Sequence, residues 1–141
     1  MAEGSEFCRP RLIRFSDCDP AGIVFYPQFF VLFHELIEDW FNDGLGLDYA
    51  AFVSRERRGL PTVHIECDFK IPSQIGDEVE LRLAVVRIGD SSITLDVSLH
   101  VGAQERVRAR QVVVLFALDE KRALAIPADL RARIERFLVV A

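Results

Sequence analysis

The chain has 141 residues, half of them hydrophobic and 28% charged, and its formal net charge at pH 7 is −5. This length favours a single domain over residues 1–141, large enough to bury about two-thirds of its unfolded surface. The acidic balance argues against a nucleic-acid partner, because such proteins normally present a basic face. No apolar run approaches the ~20 residues that span a membrane, and the N-terminus lacks the basic and apolar regions of a signal peptide.

The cysteines and histidines predict neither a disulfide framework nor a metal site. The three cysteines are odd in number and scattered, which is typical of reduced thiols in a cytoplasmic protein. The histidines stand far apart, with no second His or Cys at metal-ligand spacing. The chain also lacks a Gly-rich phosphate loop and a G-x-S-x-G elbow. We therefore expect chemistry that needs no metal and no cofactor.

A short strand and a polar turn come first in the chain. Arg11, Ile13 and Phe15 alternate with Leu12 and Arg14, which predicts a strand within residues 8–16. The next six residues, 17–22, read D-C-D-P-A-G and place two carboxylates beside a proline and a glycine. Residues of these types favour a tight turn.

The most apolar helix of the chain follows this turn. Pro27 suits the first turn of a helix, and residues 42–44, Asn-Asp-Gly, are a natural stop. Apolar residues recur at three- and four-residue spacings on one broad face: Phe29, Phe33, Leu36, Ile37, Trp40 and Phe41. Phe30 and Val31 widen that face. The pattern predicts a helix that is covered on most of its circumference.

The rest of the chain predicts a sheet and two short helices. Residues 47–58 form a short helix or helical loop. The period then becomes two residues, which predicts four long strands in a meander over 63–71, 79–87, 93–101 and 106–118, the last of them central. A final helix follows residue 126, and the hairpin-length connectors make the pairing antiparallel. The fold class is α+β, with a sheet of about five strands wrapped around one long apolar helix.

The junction of turn and long helix is the first candidate site. The first turn of a helix leaves backbone N–H groups unpaired and carries about half a positive charge. The amides of Val24, Phe25 and Tyr26 fall there, and Asp19 precedes them. Donors for an oxyanion beside a carboxylate that can attack or deprotonate form a minimal site for acyl transfer. Aspartates at such positions are more often turn formers or helix caps, so both interpretations of Asp19 stay open.

The run from Asp17 to Pro27 and the order of elements resemble the hot-dog fold acyl-CoA thioesterases, and among them the pseudomonad-type 4-hydroxybenzoyl-CoA thioesterases. The run matches the family pattern D-x-D-x-x-G-[IV]-V-[aromatic]-Y throughout. The resemblance implies hydrolysis of an aromatic or short-chain acyl-CoA to a free acid and coenzyme A. It implies that Asp19 is the catalytic carboxylate, as nucleophile or general base, and that the Tyr26 N–H polarises the thioester carbonyl.

The resemblance also assigns neighbouring residues and one distant arginine. Asp17 shapes the turn, and four residues of the run contact the substrate: Gly22, Val24, Phe25 and Pro27. The short-chain branch carries a His after the Tyr, so Pro27 favours the hydroxybenzoyl branch. That branch holds the nucleotide phosphates with a basic run between the second and third strands after the helix, where this chain has only Arg87. Arg87 is the first candidate for a coenzyme A contact, and the next candidates are Arg55, Arg57, Arg58 and Lys70.

Two rival functions remain. A hot-dog dehydratase or hydratase uses an Asp–His pair near the helix start, and no His lies between Phe15 and Phe33. A non-catalytic acyl-CoA-binding module would not need the carboxylate that Asp19 supplies. An open sheet leaves an unpaired edge strand, which predicts a homo-oligomer with the dimer as its minimum unit. The resemblance further implies a dimer of dimers. The expected location is the cytoplasm, without a membrane partner.

Overall fold

A computed structural model of the chain describes residues 5–139. It has three α-helices, α1 (Pro27–Asp39), α2 (Tyr49–Ser54) and α3 (Ala128–Glu135), and a single π-helical turn, Trp40–Gly44, extends α1. The strands are β1 (Phe7–Leu12), β2 (Arg58–Gly59), β3 (Thr62–Phe69), β4 (Glu78–Ile88), β5 (Ser92–Val101), β6 (Gln104–Val114), β7 (Phe116–Ala117) and β8 (Arg122–Ala123). No helix within the described residues is long and apolar enough to cross a membrane.

The main sheet confirms the predicted fold class but not the predicted meander. Five antiparallel strands lie in the order β1-β4-β5-β6-β3. The first long strand after α2, β3, pairs with β6 from Phe69 opposite Val107 to Thr62 opposite Val113, so it lies at the edge rather than beside β4. An alternating pattern determines which face of a strand is apolar, but it does not specify the neighbouring strand.

The fourth predicted strand, over residues 106–118, is also corrected. Strand β6 ends at Val114, and β7 joins β2 and β8 in a separate small sheet. At the break, the N–H of Leu115 donates to the carbonyl of Ser91, the residue before β5, at 2.8 Å. The central strand of the large sheet is β5, because β6 has the edge strand β3 as its outer neighbour.

Strand β1 ends earlier than predicted. After Leu12 the chain forms a 3-10 turn at Phe15–Asp17. The Asp17 carboxylate accepts a hydrogen bond of 2.8 Å from the N–H of Arg14. A side-chain acceptor for this donor lets the backbone leave the strand without burying an unpaired N–H group.

Helix α1 buries the face that the sequence predicts. All six predicted face residues, Phe29, Phe33, Leu36, Ile37, Trp40 and Phe41, are at most 4% exposed, and Leu32 is buried with them. The ring of Phe137, just after α3, packs edge-on against Trp40 and Phe7 at the far end of the helix. The helix was predicted to be covered on most of its circumference, but on the side towards β3 it is not, and Val31 there remains 45% exposed. Within one chain, this side of α1 and the edge strand border open space.

Candidate active site

The Asp19 turn is a tight hairpin with a glycine-dependent conformation. The N–H of Gly22 donates to the carbonyl of Asp19, and the N–H of Asp19 donates to the carbonyl of Ile23, both at 2.9 Å. Gly22 has a φ of +82°, a value that residues with a Cβ rarely adopt. Because an added Cβ would meet its nearest atom only at 4.0 Å, the dihedral angle and not lack of space requires glycine here. The turn holds Asp19 at a defined position beside the segment that enters α1.

The carboxylate of Asp19 is oriented by its own turn. Its Oδ1 accepts a 2.8 Å hydrogen bond from the N–H of Ala21. Among residues 5–139, no hydrogen bond or ion pair reaches its Oδ2, and the residue is half-buried. One oxygen is therefore fixed, and the other is available to a substrate or a water molecule.

Of the three amides predicted at the helix start, the structure leaves one unpaired. The N–H of Val24 donates to the carbonyl of Ser73 at 2.9 Å, and the N–H of Phe25 donates to the carbonyl of Asp17 at 3.1 Å. Within the described part of the chain, the N–H of Tyr26 has no hydrogen-bond acceptor. Pro27, which has no N–H, begins α1 directly after it. The donor at Tyr26 thus points out of the N-terminus of a 13-residue helix, whose dipole favours negative charge there.

Asp17 is buried and shapes the turn, as the sequence predicts. It is 3% exposed, and its Oδ2 accepts hydrogen bonds from Arg11 Nη1 and from the N–H of Arg14, both at 2.8 Å. Burial by itself would raise the pKa of Asp17, but these hydrogen bonds and the charge of Arg11 outweigh it, so the pKa lies below its ordinary value. Asp17 is therefore an ionised structural anchor, and the residue with a free carboxylate oxygen is Asp19.

Two neighbouring cavities, which share His34 as a lining residue, lie along α1 beyond its first turn. The nearer has a volume of about 380 Å³ and is lined by Phe30, Val31, His34, Thr62, Ile65 and Gln111. The farther, of about 840 Å³, shares His34 and is otherwise largely apolar, with lining residues that include Tyr49, Val53, Leu60, Val63, Val114 and Phe116. These volumes are in the range of small-molecule binding sites. Sequence patterns miss both cavities, because helix and strand residues from distant parts of the chain form their walls.

An aromatic wall connects the helix start to the nearer cavity. The ring of Phe69, near the end of β3, contacts Tyr26, Phe29 and Phe30, with ring centroids between 5.8 and 6.2 Å apart. A group that is bound at the Tyr26 N–H and extends along α1 therefore meets apolar surface first.

Comparison with known proteins decides the class. The family model described as the thioesterase-like superfamily matches residues 13–134. The chain belongs to this superfamily. The 1,4-dihydroxy-2-naphthoyl-CoA hydrolase of Synechococcus elongatus is 30% identical over 122 residues, which cover 86% of this chain and 89% of that protein. The predicted class of thioester hydrolase is confirmed.

Solved structures agree with this assignment. A 1,4-dihydroxy-2-naphthoyl-CoA thioesterase from Synechocystis superposes with a TM-score of 0.81 at 27% identity, covering 92% of this chain and 96% of the other. The dynemicin thioesterase has a TM-score of 0.85 at 22% identity, covering 97% and 100%, and is similar in fold. The predicted hot-dog fold is confirmed.

The thioesterase supports its turn with residues that the sequence did not single out. Two backbone hydrogen bonds join the turn to the loop of residues 72–77. The carbonyl of Ser73 accepts from the N–H of Val24, and the N–H of Ile75 donates to the carbonyl of Gly22. Arg106 of β6 holds this loop, because its Nη1 donates to Asp77 Oδ2 at 2.8 Å and to the carbonyl of Pro72 at 3.2 Å. In the sequence, residues 75–77 are typical only of a turn. No local pattern indicates that Arg106, some 30 residues later, supports this turn.

The cysteine next to the candidate carboxylate has a raised thiol pKa. Burial, and after it the charges of Asp17, Asp19 and Asp77, raise the pKa of the Cys18 thiol. Its Sγ donates to the carbonyl of Arg14 at 3.4 Å. A thiol with a raised pKa carries little thiolate at neutral pH. Among the described residues, no group of three or more His, Cys, Asp or Glu side chains is placed to share a metal ion.

The structure separates Arg87 from the Asp19 turn of its own chain. The turn contacts residues 74 and 75, just before β4, whereas Arg87 lies near the other end of that strand. Ten residues of extended strand span on the order of 30 Å. Arg87 forms no ion pair within residues 5–139, while Arg57 pairs with Asp119 and Lys70 with Glu105. A contact from Arg87 to coenzyme A would therefore serve a site on another copy of the chain.

Proposed function

We propose that this thioesterase hydrolyses an acyl-CoA thioester with a hydroxyaromatic acyl group, releasing the free acid and coenzyme A, and that Asp19 and the Tyr26 N–H perform the chemistry. The observation that carries the proposal is the unpaired N–H of Tyr26 at the head of α1, following a turn that orients a carboxylate with one free oxygen. A positioned backbone donor stabilises the charge that develops on a carbonyl oxygen during acyl transfer.

The choice of acyl group is supported by the relatives and by the shape of the cavities. Two relatives at 30% and 27% identity are named for 1,4-dihydroxy-2-naphthoyl-CoA, whose acyl group is a flat hydroxylated aromatic ring system. The nearer cavity is lined by three apolar and three polar side chains, which suits a ring that carries hydroxyl groups. The predicted contacts from Gly22, Phe25 and Pro27 would then lie at the mouth of the site, where the side chain of Phe25 is 52% exposed.

The reaction follows from these positions. The carbonyl oxygen of the thioester accepts a hydrogen bond from the Tyr26 N–H, which makes the carbonyl carbon more electrophilic. In one route, Asp19 attacks that carbon, the C–S bond breaks to release the coenzyme A thiolate, and water hydrolyses the resulting anhydride. In the other route, Asp19 removes a proton from a water molecule that attacks the carbonyl carbon; the C–S bond then breaks, and the proton passes from Asp19 to the departing coenzyme A thiolate. Rapid quenching during the first turnover separates the routes, since only the first places an acyl group on Asp19.

A catalytic panel tests the proposal against the two rival functions. Purified protein is supplied with aromatic and aliphatic acyl-CoA esters while free thiol is measured. Thiol release that is fastest with hydroxyaromatic esters is the expected result. Binding without thiol release would identify a non-catalytic module. Hydration of an enoyl-CoA without thiol release would identify a hydratase, although the sole histidine of α1, His34, lies about two turns from the helix start.

We further propose that the enzyme works as a homo-oligomer built on the β3 edge. This strand is exposed or half-exposed at every position, and no strand among residues 5–139 pairs with its outer ladder of N–H and C=O groups. Its apolar side chains Val63 and Ile65 are 61% and 38% exposed, near Val31 of α1. Such an edge favours pairing with a second sheet. A dimer joined there would close the cavities, and the resemblance implies that two dimers form the tetramer.

The oligomer has its own test. Sedimentation of the wild-type protein should show a dimer or tetramer at micromolar concentration. Ile65→Lys places a charge on the edge strand and should shift the protein towards monomer, with loss of activity. A fully active monomer would contradict the proposal. The free Cys8, Cys18 and Cys67 suit the reducing cytoplasm, which we propose as the enzyme's location.

A further inference from the structure

The cavity nearest the candidate active site contains an unpaired buried amide. Among the described residues, two buried side-chain polar atoms lack a hydrogen-bond partner: Nε1 of Trp40 and Oε1 of Gln111. Trp40 packs at the far end of α1 against Phe137, away from both cavities. Gln111 is 6% exposed and lines the cavity of about 380 Å³. Burying an amide oxygen without a partner is unfavourable for folding.

The fold gives no structural need for a polar residue at this position. Gln111 belongs to the inward-facing row of β6, in which the other members are the apolar Val107, Ala109 and Val113. Its one hydrogen bond runs from Nε2 to Thr62 Oγ1 at 2.7 Å. Thr62 lies at the exposed start of β3, so this bond holds the amide in position but connects it to no buried polar network.

The distance from the reaction centre suits an aromatic acyl group. The cavity residues Val31 and His34 lie five and eight positions after Tyr26 on the same helical path. At 1.5 Å per residue, this corresponds to about 7–12 Å along the axis. A one- or two-ring aryl group with its carbonyl at the Tyr26 N–H reaches this part of the cavity with its far edge.

We infer that Gln111 is a specificity-determining residue whose amide oxygen accepts a hydrogen bond from a hydroxyl substituent on the aryl group of the substrate. The inference rests on the proposed hydrolysis of hydroxyaromatic acyl-CoA. A phenolic hydroxyl supplies the donor that Oε1 lacks, while Val31 and Ile65 contact the apolar ring. An acyl group without the hydroxyl leaves the amide unpaired, and sites of this kind discriminate strongly against such analogues.

The experiment compares benzoyl-CoA with its three monohydroxylated derivatives, which are isomers of one another. For the wild-type enzyme, we expect kcat/KM for the preferred hydroxylated isomer to exceed that for benzoyl-CoA by about 10- to 100-fold. Gln111→Met keeps the length of the side chain and removes its polar atoms. In this variant the ratio should fall to within about threefold of unity, because activity on the hydroxylated ester falls more than activity on benzoyl-CoA.

Two controls separate specificity from structure. Thr62→Val removes the bond that positions the amide but leaves the amide itself, so the preference for the hydroxylated ester should weaken without falling to the level of Gln111→Met. The melting temperature of Gln111→Met should equal or exceed that of the wild type, because the variant no longer buries an unpaired oxygen. A large fall in melting temperature, or failure of both Gln111→Met and Gln111→Leu to fold, would show a structural role and overturn the inference.

The outcome also distinguishes this inference from the proposed function. If the wild type hydrolyses aryl esters with the same hydroxyl preference as Gln111→Met, only the role of Gln111 is refuted. The absence of any hydroxyl preference in the wild type refutes it equally. If the wild type hydrolyses aliphatic esters and no aryl ester, the proposed acyl class is wrong and the inference fails with it.

Discussion

Replacing Asp19 with Asn separates a catalytic carboxylate from a turn-forming one. The hydrogen bond that Asp19 accepts from Ala21 at 2.8 Å is also available to the Oδ1 of Asn. Asn and Asp are both favoured at the first position of a type I turn. We therefore expect the melting temperature of Asp19→Asn to change by no more than about 2 °C. An amide can neither attack the thioester nor accept a proton from water, so kcat should fall about 10³-fold or more, equivalent to about 4 kcal/mol.

Asp17→Asn is the matched control, with the opposite expected signature. Oδ2 of Asp17 accepts from both Arg11 and the N–H of Arg14, and the amide group of Asn brings a donor against the guanidinium. Loss of a charge-assisted hydrogen bond costs about 1.5–3 kcal/mol. In a domain of this size, that corresponds to a melting temperature lower by about 5–10 °C. Turnover by the folded control should be far less affected than in Asp19→Asn.

The assay follows thiol release from the best ester of the panel, with a thermal melt of each variant. KM should change little in Asp19→Asn, because the Tyr26 N–H and the cavity remain. A folded Asp19→Asn enzyme with kcat within tenfold of the wild type would show that the carboxylate is structural. Equal losses of turnover in the two variants would likewise refute a special role for Asp19.

Three further predictions concern the surroundings of the site. Hydrogen bonds, first from Arg108, lower the pKa of Glu105 from 4.5 to about 2, so its stabilising effect is complete above pH 4.5 and is lost as the pH falls towards 2. Glu105→Gln should therefore flatten the acid dependence of the unfolding free energy in this range, measured by urea titrations. Arg106→Gln releases the loop that holds Val24 and should lower kcat by about tenfold or more, while Arg106→Lys loses less. Arg87→Ala should raise KM at low salt and leave kcat unchanged, and an unaltered KM would remove Arg87 from the coenzyme A site.

The long helix and the reactive turn could be predicted from the sequence because their determinants are local. The buried face of α1 follows from apolar spacing within one element, and its start follows from Pro27. Pro20 and Gly22 specify the hairpin that carries Asp19. Asp17 and Asp19 are two residues apart and chemically identical, however. Only the burial of one against Arg11 shows which carboxylate is anchored and which has a free oxygen.

By itself, the sequence determined the fold class, the buried helix face and the location of the candidate chemistry, because periodicity and turn propensity act between near neighbours. Tertiary structure decided that β3 lies at the sheet edge and that Gln111 lines a cavity. It also decided that, of the three amides at the helix start, Tyr26 is the one without an acceptor among the described residues. Each of these depends on partners far along the chain: β6 for the edge strand, Ser73 for the amide of Val24, and α1 for the cavity. Hydrogen bonds and cavity walls between distant segments exist only after the chain has packed, and no local pattern of residues specifies them.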